Sequence, residues 1–215
     1  MILALDTATR WLGLALYDGT AVLAEQGWRS HNTQTIELVP AIQQMLGRAE
    51  LTTADLHAIA VTLGPGSYTG LRIGLAVAKG LALAHHLPLF GMNTLDLTAA
   101  SADRSQVTGQ LMAVIEAGRT RITLAPYGWQ KQGWAMTADP HNTTWEELLP
   151  SLTTPTTFVG EITAEAAKLM RHAGKQFHIL PPAQNIRRAA LLAQNAWLRY
   201  RKGQTAEAAL VVPNY

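Results

Sequence analysis

The sequence predicts an α/β protein made of two successive copies of one unit (three strands, a helix, a strand and a helix), each built on a mixed sheet. Three observations carry that expectation. Short apolar runs come in two triplets: 2–6 (ILALD), 11–17 (WLGLALY) and 20–27 (TAVLAEQG), then 111–117 (LMAVIEA), 121–127 (RITLAPY) and 133–137 (GWAMT). Each triplet is followed by segments of helical and strand periodicity in alternation. Between the two copies lies the polar stretch SADRSQVTG at 101–109, which divides the chain into domains 1–103 and 104–215, the second reduced. A chain of 215 residues that is 48% hydrophobic has ample material for a core.

The elements follow in order. Turns at Thr9-Arg10 and Asp18-Gly19 separate the first three strands. A helix spans 33–47, with Asn32 or Thr33 as its N-cap, and a strand spans 56–63. A glycine turn leads into a helix at 70–86, then a short strand near 88–90 and a helix opening at Thr94. The second copy continues with helix 143–150, strand 156–160, helix 163–173, strand 176–180 and helix 185–202. The pair Pro181-Pro182 punctuates the last strand and helix.

Residues 64–74, GPGSYTGLRIG, are the most informative stretch. Gly64, Gly66 and Gly70 permit backbone conformations closed to other residues, and Pro65 fixes one φ. Ser67 or Thr69 is placed to cap the helix, whose first amides would suit an anion. No Gly-Lys-Ser/Thr follows, so this is no P-loop, and G-x-G-x-x-x-G is not the dinucleotide spacing.

The following helix is almost wholly apolar, with Arg72, Lys79 and His86 spaced by sevens along one stripe. Gly70 and Gly74, then Ala76, Gly80 and Ala84, repeat at intervals of four, a spacing that lets a second helix approach closely. Two readings stay open: a helix enclosed by its own fold, and one that turns a face to a partner. In helix 33–47, Leu38, Ile42 and Met45 form one stripe and Ile36, Val39 and Leu46 a neighbouring one, wider than packing on one sheet requires. The candidate interface is therefore Ile36, Val39, Leu46, Gly70, Leu71, Gly74, Val77, Ala78 and Leu81. It would dock onto an equivalent helix pair, as a homodimer when the chain is alone. On this reading Gly74→Leu blocks association without unfolding the domain; loss of the fold would assign the small residues to the core.

Composition narrows the function classes. The absence of cysteine excludes disulfide and thiolate chemistry, and the opening MILALDTATR lacks the basic start of a signal peptide, so a cytoplasmic protein is expected. Two charges within the apolar helix argue against a membrane span. Residues 1–99 carry five Lys/Arg and seven Asp/Glu (net −2), and residues 100–215 carry twelve and eight (net +4), too mild a bias to mark a nucleic-acid binder. Arg187-Arg188 and Arg199, Arg201 and Lys202 flank the last helix and read first as a solvated face. Trp11, Trp28, Trp129, Trp134 and Trp145 are scattered without basic interleaving. His31 reads as a capping or surface residue before it reads as a ligand.

The segments ILALDTAT, LGLALYDG, SHNTQTIELVPAIQQML, GPGSYTGLRIG and KGLALA occur in an order that resembles the TsaB (YeaZ) family over roughly residues 1–100. The second half departs from it: EAGRTRI, with Glu116, Gly118 and Arg119, stands where an Asp-Ala-Arg element is usual, and the sequence ends at Pro213, Asn214 and Tyr215. The resemblance implies the duplicated actin, sugar-kinase and heat-shock ATPase-like (ribonuclease H-like) fold. It also implies a non-catalytic subunit for threonylcarbamoyladenosine synthesis on ANN-decoding tRNAs. Such a subunit dimerises with a TsaD-like catalytic subunit, helps recruit a TsaE-like ATPase, and meets tRNA only through the complex.

The catalytic relative places two histidines at i, i+4 beyond the strand after the apolar helix; here 89–99 holds none, and its one candidate ligand is Asp96. His85 and His86, about 100° apart on a helix, cannot chelate together. Asp6, Thr7, Gly64, Gly66 and Ser67 remain as a vestigial phosphate or nucleotide region, with Asp6 equally placed to cap a turn. No metal and no cofactor are expected on the chain alone, which leaves ATP and Mg²⁺ to the assembled complex. The competing class is a freestanding ATP-dependent kinase or hydrolase of small molecules, with turnover that Asp6→Ala would abolish.

Overall fold

The computed structural model describes residues 1–31, 33–118, 120–131, 133–204 and 211–213. The capping candidate Asn32, Arg119 of the EAGRTR segment, Asn214 and Tyr215 lie outside the described residues. The chain forms two compact units: Met1–Thr94 together with the segment that opens at Arg188, and Leu95–Arg187. The division expected at residue 103 thus falls at Thr94, and the last helix joins the first unit instead of the second.

In the first unit, strands β1 (Ile2–Asp6), β2 (Trp11–Tyr17), β3 (Val22–Arg29), β4 (Ala58–Gly64) and β5 (Leu89–Asn93) lie in the order β3-β2-β1-β4-β5. The first three are antiparallel neighbours; β1, β4 and β5 run parallel, so the sheet is mixed as the sequence predicts. Helices α1 (Gln34–Arg48) and α2 (Tyr68–Ala84) follow β3 and β4. Leu3, Leu5, Leu14, Leu16, Ile59 and Val61 share one core with Leu38, Ile42 and Met45 of α1 and Leu75, Ala78 and Ala82 of α2.

The second unit repeats the plan. After α3 (Thr94–Ala100), strands β6 (Gln110–Glu116), β7 (Arg121–Gln130) and β8 (Gly133–Met136) form the meander. A short strand β9 (His141–Thr144) pairs with β7, and α4 (Trp145–Ser151) leads to β10 (Thr156–Gly160). Then come α5 (Ala164–Ala173) and β11 (Phe177–Ile179), and the order β11-β10-β6-β7-β8 matches that of the first sheet. The duplication reaches single residues. Gly64 and Gly160 end the equivalent strands β4 and β10 with φ of +112° and +117°. Strand β9 was not foreseen, because HNTT lacks an apolar alternation; α4 starts behind it, where the Thr144 hydroxyl accepts from the Glu147 amide.

The last helix, α6 (Ala189–Arg201), starts later than predicted, behind a single 3₁₀ turn at Pro182–Gln184. Its assignment to the first unit has a packing cause. Ile2, Ala4, Ala58 and Ala60 alternate with the residues that face α1 and α2, so they form a second apolar face that needs a cover. Ala189, Leu192, Ala193 and Ala196 of α6 are buried, and Gly13 leaves room for Ala189, since a Cβ there would sit 3.3 Å from that methyl. Glu25 on β3 accepts from Arg188 and from the Ala190 amide at the start of α6. None of the described helices is long and apolar enough to cross a membrane.

Four carboxylates ionise more readily than usual because they accept hydrogen bonds: Asp18 from the Ala21 and Thr20 amides, Glu37 from Thr33, Ser30 and Trp28, Asp55 from Thr52, and Asp103 from Ser105. Their pKa values lie below those of the unfolded chain, so the unfolded state takes up more protons as the pH falls. The stability they contribute is present above the ordinary carboxylate values of 4.5 for glutamate and 3.8 for aspartate and is lost below them. Thermal melts are expected to be level from about pH 7 to about pH 5 and to drop progressively below about pH 4.5. A melting temperature unchanged down to about pH 3 would contradict this.

Candidate functional site: the glycine turn and the helix pair

Ser67 is the N-cap of α2, its hydroxyl accepting from the Gly70 amide at 3.3 Å, which sets the helix start at Tyr68. The glycines serve close approach to the turn after β1. A Cβ on Gly66 would lie 2.2 Å from the Ala8 carbonyl oxygen, one on Gly70 2.3 Å from that of Thr7, and one on Gly74 2.1 Å from Thr7 Oγ1. The Ser67 amide donates to the Ala8 carbonyl at 2.6 Å, and Thr7 Oγ1 donates to the Gly70 carbonyl at 2.8 Å. The small residues at 70 and 74 therefore lock α2 onto its own sheet. This corrects the expectation for Gly74→Leu: that variant attacks the fold.

Asp6 is fully buried at the tip of β1. Its Oδ1 accepts from Thr62 Oγ1 at 2.9 Å and from the Ala8 amide at 3.1 Å, and the Thr7 amide points to Thr62 Oγ1 at 3.4 Å. Of the two readings of Asp6, the turn-capping one has its geometry on display. Thr62 was missed by sequence reasoning; a lone threonine inside the apolar run AIAVTLG was its signal. Asp6→Ala would leave the Thr62 hydroxyl and the Ala8 amide without this acceptor, at a cost of about 2 kcal/mol, whereas Asp6→Asn keeps an oxygen there. Urea unfolding of both variants checks this; equal loss in the two would count against the acceptor role.

Asp6, Thr7, Ala8 and Thr62 bond to one another here, and the Ala8 carbonyl lies close beside Gly66. In the second unit the amide of Glu116, the counterpart of Asp6, donates to the Glu161 carboxylate at 2.9 Å. Glu161 is paired with buried Arg187 at 2.9 Å. A carboxylate of the chain itself thus stands where an anion would meet that strand end.

Other candidates resolve into structural tasks. Asp96 accepts from the buried Tyr127 hydroxyl at 2.7 Å, and burial with this carboxylate raises the Tyr127 pKa far above its usual value. Among the described residues no three His, Asp or Glu side chains converge as metal ligands. Arg188 pairs with Glu25, Arg199 donates to the Gly91 carbonyl at 2.8 Å and stacks over Phe90, and Arg201 lies over Trp197. Trp129 and Trp134, far apart in helical terms but paired across the β7–β8 hairpin, meet edge to face at 5.1 Å. His31 is exposed, and Thr33 takes the N-cap position of α1.

The predicted interface divides in two. Leu46, Gly70, Leu71, Gly74 and Ala78 are buried within the first unit, and Val77 and Leu81 are half-buried against its core. Ile36 is 72% exposed and Val39 44%. The other small-residue stripe of α2, Ala76, Gly80 and Ala84, faces outward beside Leu83, which is 64% exposed. Among the described residues nothing lies within 4 Å of a Cβ built on Gly80. At the start of this face Arg72 stacks over Tyr68 and donates to its hydroxyl at 2.7 Å. Sequence spacing revealed both stripes of α2 but not which one is internal.

Twin mixed sheets of one strand order, each with a carboxylate at the end of its first strand, define a duplicated α/β fold. The family model described as "TsaD: tRNA N6-adenosine threonylcarbamoyltransferase" matches residues 25–215. The tRNA threonylcarbamoyladenosine biosynthesis protein TsaB of Bacillus subtilis is 30% identical over 166 residues, 76% of this chain and 72% of that protein. Its namesake in Escherichia coli is 37% identical over 133 residues, 61% of this chain; the match spans 57% of the length of that relative. The solved structure of YeaZ from Pseudomonas aeruginosa superposes over 100% of this chain and 99% of that one with a TM-score of 0.77 at 23% identity, a likeness of fold. The chain belongs to the TsaB (YeaZ) family.

Proposed function

We propose that this chain is a non-catalytic subunit in the synthesis of threonylcarbamoyladenosine on tRNA. It docks onto a TsaD-like catalytic subunit through α1 and α2, helps recruit a TsaE-like ATPase, and forms a two-fold homodimer when alone. The carrying observation is the exposure of Ile36 and Val39 on α1 and of Ala76, Gly80 and Leu83 on α2: apolar side chains and small residues that no described element covers. Exposed apolar patches of this kind mark association, and small residues at intervals of four let a second helix pair lie close. The names of the relatives support the pathway, and the use of Asp6 as an acceptor within its own turn supports the absence of a catalytic role. On this reading ATP, Mg²⁺ and tRNA enter only in the assembled complex, in the cytoplasm.

Size exclusion with light scattering, on the chain alone and mixed with its cognate TsaD-like subunit, tests the proposal. A homodimer that converts to a one-to-one heterodimer is the expected result. A monomer that ignores the catalytic subunit would remove the partner reading.

A further inference from the structure

Strand β3 is the outer strand of the first sheet, and among the described residues it pairs only with β2. Its other side presents a row of backbone donors and acceptors over eight residues, Val22–Arg29. Beside that edge runs a groove of about 370 Å³ lined by Gln26 and Trp28 of β3 and by Glu37, Pro40, Ala41 and Gln44 of α1. Glu37, Ala41 and Gln44 lie on the flank of α1 opposite Val39, and Pro40 stands one turn from Ile36 at the border with the helix-pair face. A strand edge with a helix as its second wall is the arrangement in which an extended peptide adds to a sheet.

The groove also carries a charge. Glu37 Oε1 accepts from Thr33 Oγ1 at 2.5 Å and Oε2 from Trp28 Nε1 at 3.1 Å. Both donors are neutral, so the carboxylate is held in a fixed rotamer with its charge uncompensated by them. Pro40, Ala41 and the Trp28 indole give an apolar wall next to it. Side chains of an added strand fall on one face at every second residue, so a cation at Glu37 and an apolar group against Trp28 require a basic residue and an apolar residue two apart.

We propose that β3 and the α1 groove bind an extended peptide segment of a partner protein, which adds as a sixth strand and places a lysine or arginine on Glu37. This site does not rest on the helix-pair reading, because Gln26, Trp28, Glu37, Ala41 and Gln44 take no part in that face.

A phage-displayed random dodecapeptide library selected on the full chain provides the probe. Enriched peptides are then made with a fluorescein label and measured by anisotropy and by amide hydrogen exchange. The expected peptides carry Lys or Arg two positions from an apolar residue and slow exchange in residues 22–29. Glu37→Gln, whose carbonyl oxygen can still accept from Trp28 Nε1 while its amide N–H turns to the Thr33 hydroxyl, is expected to weaken them about fivefold. It should leave the same peptide with its basic residue replaced by glutamine unaffected. N-methylation of alternate peptide amides should abolish binding, a result that needs no protein variant. Failure to enrich any peptide, protection confined to the α1–α2 ridge, indifference to Glu37→Gln, or protection of 22–29 by self-association without peptide would each overturn the proposal. Gly80→Arg, which targets the ridge, should leave peptide binding intact, so the two readings fail separately.

Discussion

Gly74→Ala is expected to destabilise the protein by about 3 kcal/mol, although alanine is the better helix former. The new methyl would lie 2.1 Å from Thr7 Oγ1 and 3.0 Å from Thr7 Cγ2. Thr7 cannot yield cheaply, since it is fully buried and its hydroxyl holds the Gly70 carbonyl. Relief therefore requires α2 to lift from the turn after β1. That motion strains the bonds from Thr7 to Gly70 and from Ser67 to Ala8, and it opens the packing of Leu71 and Ala78. Gly80→Ala is the matched control on the same helix. With open space around its Cβ, it should gain the usual 0.5–1 kcal/mol or so of replacing a mid-helix glycine. Urea unfolding followed by circular dichroism separates them. An unfolding midpoint for Gly74→Ala equal to that of the parent would mean that α2 is not locked as described.

The contrast between these two glycines shows what was legible in the sequence and what was not. Periodicity located α2 and the repeat of small residues at every fourth position, but a helix apolar on nearly every side carries no marker of its inner face. That choice is made by tertiary contact: the turn of Asp6, Thr7 and Ala8 comes within bonding distance of residues 66–74, a separation of about sixty positions that no local pattern records. The same holds for Asp6, whose partner Thr62 lies on β4, and for Glu116, whose amide meets Glu161 beyond β10. The duplicated succession of elements was legible because both meanders come as three short apolar runs. The return of α6 to the first sheet was not, since its cause is the small alanine-rich face formed by residues from β1 and β4. Strand β9 was hidden by its polar composition, held by the β7 ladder and not by a buried face of its own. Five of the nine candidate-interface residues are buried within the first unit for one reason: stripes were judged by breadth, while exposure depends on which neighbours the sheet order supplies.

On the proposed partner reading, Gly80→Arg is expected to lower affinity for a TsaD-like subunit and for a second copy by about 100-fold or more, roughly 3 kcal/mol, while leaving the fold unchanged. The position is at the middle of the outward stripe, between Ala76 and Ala84, with Leu83 adjacent. Helices that meet over glycine and alanine approach backbone to backbone, so a long side chain there holds them apart, and its guanidinium would be stripped of water without a partner. In the free chain the same arginine reaches solvent, because no atom of the described residues lies within 4 Å of the Cβ position. Ile36→Glu, on the neighbouring helix, should weaken association in the same direction through loss of an apolar contact and a buried charge. Sedimentation and light scattering should therefore report monomers for both variants, with melting temperatures close to that of the parent. Retained dimers at parental strength would show that association uses another surface. Monomers that have also lost their melting transition would show instead that this face of α2 belongs to the core.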